Sequence, residues 1–241
     1  MKPPANHKRR QIPDAPRSWE QEEQQLLDEL TRTGGRKGSV LCSLACLYRE
    51  AGQLDQAMVW VRRLVESATS LEERPGAYLM WGQSYEQARD YEAAVRAYQL
   101  GFALEPIDTD VWYFLNNNLG YSLIQLQRNA EAEPYLRAAI QIDPSRANAF
   151  KNLGLALWGL NRLSESAESL VRATQVNPSD PRAVRHLEQL LRERPAVLDE
   201  MPSLRGQVRA CRRAVRLSLT LNPGLRERRA STPRARKGGR S

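Results

Sequence analysis

The chain has 241 residues, of which 41% are hydrophobic and 27% charged, and its formal net charge is +8. These fractions are typical of a folded globular protein and exclude fibrous and wholly disordered chains. No stretch reaches the roughly 18 uninterrupted apolar residues of a membrane span, and the N-terminus lacks the apolar segment of a secretion signal. We therefore expect a cytoplasmic protein without an integral membrane segment.

The basic residues are concentrated at the two ends of the chain. Residues 205–241 hold 12 of them against one acid, residues 1–17 hold five against one, and residues 18–204 carry a net charge of −7. We expect a disordered basic arm over 1–17, a mildly acidic folded body, and a disordered basic tail over 224–241.

The first predicted element is a helix over 18–33. Ser18 and Gln21 have the spacing of a capping box, apolar residues follow at helical intervals, and two glycines come directly after the predicted end. We expect this helix to cap the repeats that follow it.

Four blocks of 34 residues come next, over 38–71, 75–108, 113–146 and 147–180. Small residues at positions 8 and 20 allow two helix axes to approach closely, while large residues at positions 11 and 24 fill the gaps. Such a hairpin cannot bury both of its apolar faces alone, so the blocks predict stacked hairpins in an all-α solenoid. Position 8 is Ala45, Gly82, Gly120 and Gly154, and position 24 is Val61, Tyr98, Leu136 and Leu170.

Two segments depart from this period. Residues 109–112 are inserted between the second and third blocks, where we expect them to lengthen a helix or change the superhelical twist. Residues 181–223 contain a first-helix pattern and a second helix separated by two prolines, which predicts either a degenerate fifth repeat or capping helices.

The blocks resemble the tetratricopeptide repeat in their large residue, Leu-Gly, Tyr, Ala, aromatic, Ala and Pro at matching offsets. The runs WGQSYEQARDYEAAVRAYQLGFALEP and NLGLALWGLNRLSESAESLVRATQVNP are close matches, and the resemblance covers about residues 38–194. It implies a right-handed α-solenoid of four clear repeats plus a degenerate fifth, with a non-enzymatic role in protein binding.

The residues themselves offer little catalytic chemistry. The sequence has no phosphate-binding loop, nucleophile elbow or HExxH motif, and only two histidines, so we expect no enzymatic activity, cofactor or metal site. Cys42 and Cys46 share a helix face, where packing or groove lining is favoured over a metal site that would need a third ligand.

In the family, positions 2, 5, 9 and 12 of each first helix line a concave groove. In the C-terminal half of this chain those positions combine aromatic, amide and cationic side chains, which favours an extended, partly acidic peptide as ligand. The alternative is that the aromatic rings contact the second helices or one another. The predicted groove residues are Phe114, Asn117, Tyr121, Asn148, Lys151, Trp158, Arg182, Arg185, Gln189 and Arg192, together with Asn118 and Asn152 at position 6.

Two binding modes of the family match in part. A clamp for a terminal carboxylate is matched by Asn117, Lys151 and Arg185, but Tyr121 and Leu155 occupy its second set of positions. A ladder of asparagines at position 6 is matched by the third and fourth repeats and broken in the first two.

The helix predicted at the C-terminus is basic and amphipathic. Its apolar stripe is expected to cover the last repeat, and its cationic face could meet phosphates, anionic lipid or an acidic protein. That face consists of Arg205, Arg209, Arg212, Arg213 and Arg216.

The sequence therefore predicts an interaction module that binds an extended partner segment in the groove, as an adaptor, scaffold or assembly factor. One alternative is a chaperone of secreted or membrane-bound clients. A second is a nucleic-acid-associated protein acting through the basic C-terminus. The partner and the oligomeric state are left open.

Overall fold

The computed structural model describes residues 18–34, 37–68 and 73–221 and divides the chain into two units, residues 1–68 and 69–241. The basic arm predicted over 1–17 and the basic tail predicted over 224–241 lie outside the described residues. All regular elements in the described ranges are helices, and none of these helices is long and apolar enough to cross a bilayer.

The first unit contains α1 (Trp19–Arg32), α2 (Gly38–Glu50) and α3 (Leu54–Ser67). The capping box forms at the start of α1, where the Ser18 hydroxyl accepts from the Gln21 amide and the Gln21 side chain accepts from the Ser18 amide. Helix α1 packs on α2, with the ring of Trp19 edge-on to Tyr48 at 5.5 Å.

The second unit contains three hairpins followed by three further helices. The hairpins are α4 (Glu73–Gln87) with α5 (Tyr91–Phe102), α6 (Thr109–Gln125) with α7 (Asn129–Ile142), and α8 (Ala147–Gly159) with α9 (Leu163–Val176). They are followed by α10 (Arg182–Glu193), α11 (Val197–Glu200) and α12 (Leu204–Leu221). Helices α6 and α8 each pack along their own second helix and on the preceding hairpin. The predicted all-α solenoid of antiparallel hairpins is confirmed.

The glycines at position 8 let the two helices of a hairpin approach closely. A Cβ atom added at Gly120 would lie 2.6 Å from Cγ of Leu136, and one added at Gly154 would lie 2.7 Å from Cγ of Leu170. Both leucines are fully buried, so the close approach also fills the core of the hairpin.

The turn between the helices of each hairpin ends at position 15 in a residue whose backbone has the left-handed conformation. This residue is Gly52 in the first repeat, and Arg89, Gln127 and Asn161 in the next three, with φ between 60° and 76°. Only glycine adopts this conformation without steric cost, yet the last three repeats place a side chain there.

The inserted residues 109–112 form the first turn of α6, as the lengthened-helix alternative predicts. Asp108 caps this turn by accepting from two backbone amides. Trp112 stacks on Phe102 of α5 with ring centroids 4.5 Å apart, so the insertion adds an aromatic contact between the second and third repeats.

The last three helices cover the final hydrophobic cluster. The apolar stripe of α12 is buried as predicted at Leu204, Val208, Cys211 and Val215. Helix α12 contacts α9 as well as α10, whereas the earlier second helices pack mainly along their own first helices.

We predict that Gly120→Ala destabilises the chain by about 1–2 kcal/mol, because overpacking against Leu136 exceeds the gain in helix propensity. Gly206→Ala is the control, since nothing lies within 4 Å of an added Cβ atom in α12, and we expect it to be neutral or stabilising by up to about 1 kcal/mol. Urea unfolding followed by circular dichroism measures both changes. Equal midpoints for the two variants would contradict the close approach.

Candidate functional site

The candidate site is the row of side chains that α6, α8 and α10 carry at the predicted groove positions, here called the first-helix face. The structure places the predicted residues at three depths. The buried residues are Asn117, Lys151 and Asn152, and the half-buried ones are Phe114, Asn118, Tyr121 and Trp158. The exposed residues are Asn148, Arg182, Arg185, Gln189 and Arg192.

Three asparagines form a hydrogen-bonded chain between α8 and α6. Asn152 Nδ2 donates to Asn117 Oδ1 at 3.0 Å, and Asn117 Nδ2 donates to Asn118 Oδ1 at 2.9 Å. Asn117 thus uses both ends of its amide inside the protein. The half-buried Asn118 leaves its amide donors at the surface, and the buried Oδ1 of Asn152 has no partner among the described residues.

Lys151 is only 9% exposed, and its ammonium group makes no hydrogen bond or ion pair within the described part of the chain. Burial is the main reason why its pKa is lowered to about 8; the positive charge of Arg182 adds to this shift and Asp180 opposes it. The site therefore holds a cation that the protein does not fully compensate.

Arg182 and Asp180 form an ion pair at the edge of this face, with Nη2 and Oδ2 2.6 Å apart. Arg182 also reaches Asn148 at 3.4 Å, which connects α10 to α8. Arg185, on the same helix, is exposed. Nearby His186 has a lowered pKa because it is partly buried and lies close to Lys151 and Arg182.

Tyr121 lies between groups of opposite charge. Glu86 on α4 acts to raise the pKa of Tyr121, while Arg182 acts to lower it, although burial is the largest cause of its raised pKa. The ring of Tyr121 also stands edge-on to Tyr91 at 6.3 Å. The face consequently changes from acidic to basic across this tyrosine.

Glu86 is a polar group of the face that the spacing of the repeats did not single out. It accepts a hydrogen bond from the Ser122 hydroxyl at 2.8 Å, and burial raises its pKa to about 7. The available signal was its place at position 12 of the second repeat, but its depth depends on the packing of α6 against α4.

The two other aromatic residues take part in packing. Phe114 stands edge-on to Tyr113 at 5.3 Å and is covered by the Arg146 guanidinium at 4.9 Å. Trp158 packs against the C-terminal hydrophobic cluster. Each ring keeps some exposed surface, so Phe114 and Trp158 can border a ligand without forming its main contact.

The predicted basic face of α12 is only partly paired. Arg212 bonds Glu188 at 2.6 Å and Arg205 lies 3.6 Å from Asp199, while Arg213 and Arg216 are exposed. Arg192 of α10 faces this helix and lines a cavity with three of its arginines.

In the first unit, Cys42 and Cys46 lie together on α2, and both are half-buried. A hydrogen bond from the Cys42 thiol, together with the nearby Arg49 guanidinium, lowers the pKa of Cys46 to about 6, while the pKa of Cys42 is raised. Arg49 Nη2 lies 3.8 Å from the Cys46 sulfur. Cys46 is therefore the thiol of the pair that loses its proton more readily.

Comparison with known families matches two stretches of the chain. Residues 75–108 and 117–181 each fit a family model described as tetratricopeptide repeat. No curated protein matches the sequence.

Several solved structures share the fold. MamA from residue 41 to its end, from Desulfovibrio magneticus RS-1, is 18% identical, covers 74% of this chain and 95% of its own, and gives a TM-score of 0.58. YrrB, described as a TPR protein with an unusual peptide-binding site, is 17% identical with coverages of 82% and 97% and a TM-score of 0.57. BtubC from P. vanneervenii is 16% identical with coverages of 93% and 94% and a TM-score of 0.59. At these identities the likeness concerns the fold alone.

We predict that alkylation of Cys46 by iodoacetamide reaches half of its maximal rate well below pH 8.5, the pKa of an ordinary cysteine being about 8.5, because the pKa of Cys46 is lowered. Peptide mass spectrometry after timed labelling measures the profile. Cys42→Ala removes the hydrogen-bond donor and should move the midpoint upward, while Cys42→Ser keeps a donor and should move it less. A midpoint near 8.5 in the unmodified chain would contradict the assignment.

Proposed function

We propose that this chain, which belongs to the tetratricopeptide-repeat family, is a non-enzymatic module that binds an extended, acidic segment of a partner protein on its first-helix face. The observation that carries the proposal is Lys151, a lysine only 9% exposed whose ammonium group has no partner among the described residues. Arg182 and Arg185 lie on the next first helix and extend the positive region outward.

Burial makes an uncompensated lysine costly, and a bound carboxylate offsets that cost. Taking a charged group out of water is unfavourable unless it is paired and hydrogen-bonded. A ligand carboxylate at Lys151 would restore the missing partner and raise the pKa of the lysine again. Arginine adds planar donors that match a carboxylate in two places at once.

The amides next to Lys151 support an extended backbone as ligand. Asn118 keeps amide donors at the surface, and Asn148 is exposed beside Arg182. An extended chain presents peptide groups at regular intervals, so neighbouring side-chain amides can pair with it. Tyr121 and the acidic Glu86 lie at the other end of this region. The difference in charge between the two ends favours one chain direction of the bound segment, with its acidic residues toward Lys151.

This activity suits an adaptor, scaffold or assembly factor in the cytoplasm. The two alternative roles, a chaperone of secreted or membrane-bound clients and a nucleic-acid-associated protein, stay predictions. The second depends in part on residues 222–241, which lie outside the described ranges.

We expect fluorescein-labelled ten-residue peptides rich in Asp and Glu to bind the full chain, and Lys151→Met to weaken that binding about tenfold, because it removes one charge-assisted contact. Methionine keeps the length and apolar stem of the side chain, so the variant should fold. Arg96→Ala, an exposed cation on α5, is the control and should stay within about twofold. Fluorescence anisotropy measures the affinities, and unchanged binding by Lys151→Met would refute the proposal.

The same binding should depend on pH. Since the pKa of Lys151 is about 8 in the free protein, most of its charge is lost by pH 9, and affinity should fall about tenfold between pH 7 and pH 9. In Lys151→Met the residual binding should change less than twofold over this range. A pH profile that is identical in both proteins would show that another group controls binding.

A further inference from the structure

Helices α6, α8 and α10 of the second unit occupy the same kind of place. Helix α6 packs on α5 and α4, α8 packs on α7 and α6, and α10 packs on α9 and α8. The two helices of a hairpin therefore form a seat for the first helix of the next repeat. Stacking in this way is what buries the apolar faces of a helical solenoid.

The seat formed by α10 and α12 is a cavity of about 500 Å³, here called the C-terminal seat. Its apolar part is Leu191 of α10, Leu198 of α11 and Val208 of α12. Helix α12 contacts α9 as well as α10, and the short helix α11 lies in the connection between α10 and α12. The cavity therefore lies between the last two long helices of the described residues.

The lining of the C-terminal seat is strongly basic. Four arginines line it, Arg192 from α10 and Arg205, Arg209 and Arg212 from α12, against one lining acid, Glu188. Glu188 already pairs with Arg212. Arg192 and Arg209 have no carboxylate partner within the described residues. An occupant with acidic side chains would complement this lining.

We infer that the C-terminal seat binds an acidic amphipathic helix of a partner protein, which takes the place of the first helix of a further repeat. A helix fits because the earlier seats of the same unit all hold helices. Its apolar stripe would cover Leu191, Leu198 and Val208. Acidic residues on either side of that stripe would reach the arginines, which follow one another at three- and four-residue intervals along α12.

The charge of the remaining chain segments disfavours them as occupants. Residues 222–241 contain seven basic residues and one acid, and residues 1–17 contain five and one, so both would be repelled. Nucleic acid is disfavoured because the lining of this cavity has no aromatic ring on which a base could stack. Its apolar floor would also stay uncovered by a phosphate backbone.

The test uses the full chain and an 18-residue peptide of Leu and Glu, with leucines at helical spacing, against a scrambled peptide of the same composition. We expect the amphipathic peptide to bind about tenfold more tightly than the scrambled one, since only it can cover the apolar floor. Arg205→Glu with Arg209→Glu should weaken binding about tenfold or more. Arg213→Glu with Arg216→Glu makes the same charge change on the same helix away from the cavity, and it should change binding about twofold or less.

Fluorescence anisotropy gives the affinities, and circular dichroism confirms that the variants keep their helices. If the first double variant loses helicity, Arg205→Gln with Arg209→Gln replaces it with the same expected direction. Lys151→Met should leave the ratio between the affinities of the amphipathic and the scrambled peptide unchanged, because any binding of these acidic peptides at the first-helix face is common to both. This ratio separates the C-terminal seat from the first-helix face.

Three results would overturn the inference. They are equal binding of the scrambled peptide, equal weakening by the two double variants, and equally tight binding of a single-stranded RNA of the same length. Concentration-dependent self-association that Arg205→Glu with Arg209→Glu abolishes would replace the partner helix with a second copy of this chain, whose α1 holds five acids and one base.

Discussion

The close contact between position 8 of a first helix and position 24 of its second helix is the constraint on which the other features depend. Gly120 against Leu136 and Gly154 against Leu170 fix the separation of the two helices in each hairpin. Because a hairpin at this separation still exposes an apolar side, the next hairpin has to cover it. Stacking then brings the first helices of successive repeats side by side. The first-helix face is a direct result of that order.

A face built in this way can hold polar groups that would be unfavourable in an ordinary core. The buried leucines supply most of the packing between the helices, and Asn117, Asn152 and Lys151 are buried polar residues beside them. The two asparagines satisfy part of each other's hydrogen-bonding capacity across α6 and α8. Lys151 receives no such compensation, and its lowered pKa is the measure of that cost.

The two proposed binding surfaces arise from different properties of the solenoid. The first-helix face collects equivalent positions from consecutive repeats, so its chemistry changes gradually from Glu86 to Arg185. The C-terminal seat lies between the last two long helices of the described residues, where arginines surround an apolar floor. Since each repeat contacts mainly its neighbours, substitutions at one surface should leave the other intact.

The sequence by itself determined the helices and their pairing, because small and large residues at fixed offsets act between neighbouring helices and need no distant information. It also offered a longer helix as one of two outcomes for the inserted residues 109–112, and it placed the apolar stripe of α12 on the core. The sequence did not determine how deeply each side chain is buried, because exposure depends on how adjacent hairpins cover each position. Asn117 and Lys151 are buried although they stand at predicted groove positions, and Glu86 is a polar part of the face. Arg192 shares a predicted face with Arg185, yet it lines the cavity beside α12, since the position of α12 is set by the connection from α10 and by packing on α9. Periodicity fixes directions around one helix, whereas burial and charge pairing depend on the distances between helices, which only the tertiary structure decided.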